Sequence, residues 1–183
     1  VGGLVGSNYY FINNSGSVPT IKNAYATGTV TGTKTGVGGL VGQNRSGTID
    51  SSYATGFVTG SMYVGGLVGG HVSETATPMN DLITNSYYDK ASTGQVTAVG
   101  GGTATVPDIT VANRYSRNGY SNLGTWSLLA GTTNVYVAKD ASNQNQWVMI
   151  EGQTRPFLWS EYSTNINNLH QLQLMAVDLT KNY

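Results

Sequence analysis

The sequence predicts an all-β solenoid, a stack of short-stranded coils finished by a less regular β-rich cap and a short C-terminal helix. Three observations carry this. The hexapeptide Val-Gly-Gly-Leu-Val-Gly occurs at residues 1–6, 37–42 and 64–69. A second pattern follows each copy: Ile21-Lys-Asn-Ala-Tyr25, Ile49-Asp-Ser-Ser-Tyr53 and, in a degraded copy, Ile83-Thr-Asn-Ser-Tyr87. No copy has apolar residues three and four apart, so a helix is not expected through the repeats. Self-similarity at this period marks a stacked architecture.

Within each copy, runs of Val, Ile, Thr and Tyr end in glycine, which reads as strands of a few residues separated by corners. The glycines allow positive φ and close backbone approach. Ile49, Ser51 and Tyr53 are expected on one face of an extended strand, with Asp50 and Ser52 on the other. Coils stacked at about 4.8 Å place equivalent residues over one another. The expected ladders are Leu4–Leu40–Leu67, Ile21–Ile49–Ile83 and Tyr25–Tyr53–Tyr87. Copy two is compact, whereas copies one and three carry insertions at the same corner, residues 7–20 and 70–82. Insertions at one corner emerge on one side of a rod, and loops on a rigid scaffold commonly carry recognition. Tyr9, Tyr10, Phe11, Tyr63 and His71 are the candidate ligand-contact residues, with His71 read as a solvated loop histidine. Two Asn-x-Ser sequons, at Asn13 and Asn44, fall in expected loops.

The repeat fades after Asp89. The expected organisation is a solenoid over 1–98, a non-repeating β-rich cap over 99–160 and the start of a following module or a linker, a short helix then a strand, over 161–183. Residues 100–107 read as a loop, and Trp126, Trp147 and Trp159 as packing on the open end of the stack, whose strand edges need cover. Ile166, Leu169, Leu172 and Leu174 predict a helix over 164–176 with Ser163 or Thr164 as its N-cap.

Composition narrows the function. Lys plus Arg and Asp plus Glu number nine each, and charged residues make up 10% of the chain, a balance that argues against nucleic acid and anionic membrane as partners. With no cysteine, disulfides, thiolate metal sites and a cysteine nucleophile are excluded. No apolar stretch is long enough for a transmembrane helix. The chain opens inside a repeat and reads as an excerpt of a longer polypeptide.

The hexapeptide followed by Ile-x-x-Ser-Tyr-Ala-Thr-Gly-x-Val-Thr-Gly resembles the GLUG motif, closely from Val1 to about Lys90. Residues 85–90 and 147–158 resemble the segment that closes GLUG arrays. The resemblance implies a right-handed parallel β-helix in a large exported bacterial surface protein. Filamentous-haemagglutinin-like adhesins of two-partner secretion systems are of this kind, and so are the non-catalytic parts of some immunoglobulin A peptidases. It also implies location at the cell surface and export through an outer-membrane transporter. It brings no catalytic residues.

The chemistry of the chain agrees. Its acids are scattered, and Asp89-Lys90 reads as a turn or cap. His71 and His170 lack ligand spacing. The glycine runs match neither the dinucleotide nor the Walker pattern. The sequence therefore assigns no catalytic, metal or cofactor site. The expected function is a stiff, non-catalytic rod that presents loops to glycans or to host or neighbouring cell surfaces, without inserting into a membrane. A passive spacer differs only in lacking a ligand. The alternative is a polysaccharide-processing β-helix enzyme or its accessory carbohydrate-binding module, which requires two or three of Asp50, Asp81, Asp89 and Asp108 to converge.

Overall fold

A computed structural model of the chain describes all residues except 11–16, 73–82, 103, 105, 180, 181 and 183. The chain is strand-rich and divides into two compact units, Val1–Val111 and Ala112–Tyr183.

In the first unit, copy one supplies β1 (Val5–Tyr9), β2 (Thr20–Lys22), β3 (Tyr25–Ala26) and β4 (Val30–Thr31). Copy two supplies β5 (Thr35–Gly38), β6 (Val41–Arg45), β7 (Thr48–Asp50), β8 (Tyr53–Ala54) and β9 (Val58–Thr59). Copy three supplies β10 (Met62–Gly65), β11 (Val68–Val72), β12 (Ile83–Thr84) and β13 (Tyr87–Tyr88). A one-turn helix, α1 (Lys90–Thr93), and β14 (Val99–Gly101) follow. No sheet takes more than one strand from a copy, and the orders are β1-β6-β11-β14, β5-β10, β2-β7-β12, β3-β8-β13 and β4-β9. All these pairings are parallel.

The register is that of the repeat. Ile21 pairs with Ile49 and Ile49 with Ile83, and Tyr25 with Tyr53 and Tyr53 with Tyr87. The Tyr25 and Tyr53 rings stack with centroids 5.3 Å apart. In the leucine ladder the Leu4 N–H donates to Leu40 O, and the Leu40 N–H to Leu67 O. Leu40 and Leu67 are fully buried, whereas Leu4, in the outermost coil, is 52% exposed. Burial therefore follows coil number, not residue type.

The hexapeptide is a corner joining two strands, and space explains its glycines. A Cβ on Gly2, Gly38 or Gly65 would run into the carbonyl of Val5, Val41 or Val68 across its own corner. On Gly39 it would lie 2.9 Å from Ala54 Cβ on the opposite wall. The interior is thus thin, filled by Leu40, Val41, Ile49, Ala54, Leu67 and Val68.

Positive φ falls elsewhere. Asn23, Ser51 and Asn85, equivalent in the three copies, have φ of 48°, 49° and 49°. This corrects the expected extended strand through Ser51. The chain turns there, and both Ser51 and Ser52 are buried. Small polar residues tolerate the left-handed region because their side chains bond locally. The Ser52 hydroxyl donates to Asp50 O (2.8 Å) and accepts from the Ala24 N–H (3.2 Å) of the coil before. Ser86 repeats this one coil later, donating to Thr84 O (2.7 Å) and accepting from the Ser52 N–H (3.2 Å).

Stacking also outlasts the visible repeat. Val99 pairs with Val68 and Gly101 with Gly70, so residues expected to form a loop are a fourth rung. The Leu67 N–H donates to Ala98 O, which places Ala98 in the leucine row. Asp89 caps α1, accepting from Ser92 N (3.0 Å) and Ser92 Oγ (2.9 Å), as the turn-or-cap reading requires.

The second unit is an antiparallel meander of β15 (Thr125–Leu128), β16 (Val135–Lys139), β17 (Asn145–Ile150) and β18 (Phe157–Leu158). Trp147 is fully buried in β17. The Trp126 indole N–H donates to Tyr120 O (2.9 Å), and Trp159 stacks on Tyr162 with centroids 5.6 Å apart. The expected helix over 164–176 is shorter. Asn168, not Ser163 or Thr164, caps α2 (Leu169–Leu174), and a 3-10 turn, Met175–Val177, follows. Ser163 instead accepts from Asn165 N, a local turn that competes with helix.

Candidate functional site

The sheet β1-β6-β11-β14 gathers the candidate residues. Alternation along β6 sends Asn44 inward and leaves Gln43 and Arg45 half-buried on the outer face. The register builds an outer row of Ser7, Gln43, Gly70 and Gly101, and a second of Tyr9, Arg45 and Val72. Between these rows and Tyr63 of the adjoining strand β10 lies a groove of about 180 Å³. Gln43, Arg45, Tyr63, Gly70, Val72 and the glycine pair at 101–102 line it. Tyr63 and Val72 are about half exposed. Tyr9 stands in the row of Arg45, and the Tyr10 N–H extends the pairing by donating to Arg45 O (3.0 Å).

Residues 7–9 and 70–72, expected to open the insertions, are instead the ends of β1 and β11, paired in register with Gln43–Arg45 of β6 between them, and the remainder of each insertion follows these strand ends. The insertions therefore leave one sheet at the same strand ends, two rungs apart. Phe11 lies outside the described residues, as does much of both insertions, including Asp81 and Asn13.

His71 is not a solvated loop histidine. It sits in β11, is 6% exposed and pairs in register with Asn44, which pairs with Asn8. The Asn8 amide donates to Asn44 Oδ1 (2.8 Å) and to Thr48 O (3.3 Å). The Asn44 amide donates to Gly47 O (2.7 Å) and lies 3.2 Å from His71 Nδ1. That amide nitrogen can only donate, so Nδ1 is the accepting side of this contact. Asn8, Asn44 and His71 thus form an internal polar ladder. The signal was present in the sequence, since all three stand at the same offset from the hexapeptide. Asn44 is also fully buried in a strand, not in a loop, so its sequon offers no accessible side chain.

The carboxylates are engaged separately. Burial tends to raise the pKa of Asp50, but hydrogen bonds from Asn85 and Thr84 and the charge of Lys22 outweigh it and hold the carboxyl below its ordinary value. Thr84 and Asn85 each donate to Asp50 Oδ1 at 2.9 Å, and Lys22 Nζ lies 3.6 Å from Oδ2. Asp50 therefore ties three coils together. Asp108 accepts from the Lys90 N–H (2.9 Å), while Asp89 is fully buried beneath α1. In the second unit, Glu151 accepts from Ser116 Oγ and Arg117 N, and Asp140 closes a turn through Ser142 N and Gln144 N. Among the described residues, no group of three or more His, Cys, Asp or Glu is placed to hold a metal ion, and no helix is long and apolar enough to cross a membrane.

A strand-rich stack of parallel, in-register coils defines a repeat protein. Within it, the GLUG motif matches residues 1–31 and 34–59. Neither curated proteins nor solved structures give a match.

Proposed function

We propose that this chain is a structural and adhesive segment of a large secreted bacterial cell-surface protein of the filamentous-haemagglutinin-like kind. In this reading the first unit is a stiff right-handed parallel β-helix without catalysis. It holds its outer face and two insertions away from the cell for contact with glycans, matrix or other cells. The parent protein reaches the surface through an outer-membrane transporter.

One observation carries the reading: in-register coils bring both long insertions out of the same sheet, on either side of β6. The GLUG matches support it, since that motif occurs in adhesin-like exoproteins. A non-catalytic role is supported by the use of Asp50, Asp89 and Asp108 in corner and cap hydrogen bonds.

The test is binding of the purified chain to cells, matrix proteins and a glycan array, beside variants in which 7–20 or 70–82 is shortened to the connection of copy two. Binding that falls when either insertion is trimmed supports the adhesive role. Failure to bind any of these surfaces would reduce the chain to a spacer.

A further inference from the structure

We infer that the groove beside Tyr63 is a saccharide subsite, with the tyrosine ring as its stacking platform and Gln43 and Arg45 as its polar rim. The inference rests on the adhesive reading and gives it a site and a ligand class. It starts from a backbone anomaly. Met62 pairs with Thr35 and Val64 with Val37, so Tyr63 occupies the place of Gly36 in the coil before. Gly36 has φ of 78°, which glycine adopts freely. Tyr63 has φ of 52°, a left-handed conformation that is costly for a bulky residue. Such strain persists only where the surroundings enforce it, and it gathers at functional sites. Folding at this corner is satisfied by glycine, so an aromatic residue here works against the corner's own preference.

What the strain achieves is placement. A Cβ on Gly101 would come within 3.0 Å of Tyr63 Cε1, so the ring lies close against the β14 backbone. At 52% exposure, the tyrosine still presents much of its surface to solvent. Gly70 and Gly101 leave the floor without side chains, and Val72 adds an apolar edge. Gln43 and Arg45 line the groove as well, residues whose side chains end in planar groups that carry several donors. An apolar ring face beside planar hydrogen-bonding groups suits a pyranose, whose axial C–H face stacks on an aromatic ring while its equatorial hydroxyls reach outward. The volume, about 180 Å³, is below the usual range for drug-sized ligands and suits a single ring. A peptide is a poorer fit. β6 and β11 have both ladder edges occupied, which closes strand addition at the floor.

The experiment is a glycan array followed by titration with the best saccharide, using the whole chain and three variants. Tyr63→Gly should fold with an equal or higher Tm and lose at least tenfold in affinity. Tyr63→Trp should keep binding within about threefold, because the platform remains. Gln43→Ala should weaken binding severalfold. Unchanged saccharide affinity in Tyr63→Gly overturns the subsite while leaving adhesion through the insertions intact. Binding to protein surfaces alone also overturns the subsite and spares the adhesive reading. A chain that binds no surface overturns both. If Tyr63→Gly melts lower, the tyrosine is structural and the strain argument fails.

Discussion

The two units bury their cores by different rules. In Val1–Val111 the paired strand residues lie over their counterparts in the next coil, so one position repeats one interaction. In Ala112–Tyr183 the strands run antiparallel, and single anchors such as Trp147 and Tyr120 have no counterparts. In the stack, the cost of a substitution should depend on which coil holds it. In the meander it should depend on the one contact removed.

The sharpest use of this difference is glycine. A Cβ on Gly69 would lie 2.6 Å from Gly42 O in the preceding coil, while one on Gly6 meets nothing within 4 Å. Both are the last residue of the hexapeptide. Gly69→Ala should cost about 4–5 kcal/mol or abolish the folded stack, because the obstacle is backbone. Gly6→Ala should stay within about 0.5 kcal/mol. Urea unfolding followed by circular dichroism measures both, and equal costs would break the coil-dependence.

Large-to-small truncations extend the comparison to both units. Trp147→Ala should cost about 3–5 kcal/mol. Leu67→Ala should cost about 2–5 kcal/mol, and Leu4→Ala, at the same motif position but half exposed, under about 1 kcal/mol. Similar losses for the two leucines would mean that the stack does not grade burial. A smaller effect is expected of the serine corner. Ser52→Ala leaves the Ala24 N–H without its acceptor and should cost about 1–3 kcal/mol in the same assay.

Acid should act most weakly. The folded carboxyl of Asp50 titrates below its ordinary value of 3.8, so its contribution is complete at neutral pH and is lost as pH falls through the folded value. Asp50→Asn should flatten the low-pH limb of the Tm profile. An unchanged limb would show that the Lys22–Asp50–Asn85 tie adds nothing.

Much of the stack could be read from the chain because the repeat carries the register with it. The leucine, isoleucine and tyrosine ladders followed from three aligned copies. What was missed lay where alternation and geometry part. Ile-x-Ser-x-Tyr looks like a strand, but a small polar residue at the same place in every copy (Asn23, Ser51, Asn85) marks a left-handed corner. His71 looked like the start of an insertion until its offset from the hexapeptide matched Asn8 and Asn44. Ala98-Val99-Gly100 kept only part of Leu-Val-Gly, too little to announce a fourth rung. At the groove, Tyr63 could be singled out as aromatic and outside the ladders. Gln43 and Arg45 could not, because they come from another copy and only the stacking brings them to it. The C-terminal helix was overextended because apolar spacing ignores local turns such as that of Ser163 with Asn165.

The central claim is the register itself, and disulfide trapping tests it directly. The chain has no cysteine, so a double variant carries only two thiols. Thr31 and Thr59 are exposed and pair in register across β4 and β9. Neighbouring strands lie about 4.8 Å apart, within the Cα separation that a disulfide spans. Thr31→Cys with Thr59→Cys should cross-link under mild oxidation at least tenfold faster than Thr31→Cys with Phe57→Cys, which is displaced by two residues. Equal rates, or faster trapping of the displaced pair, would contradict the in-register stack.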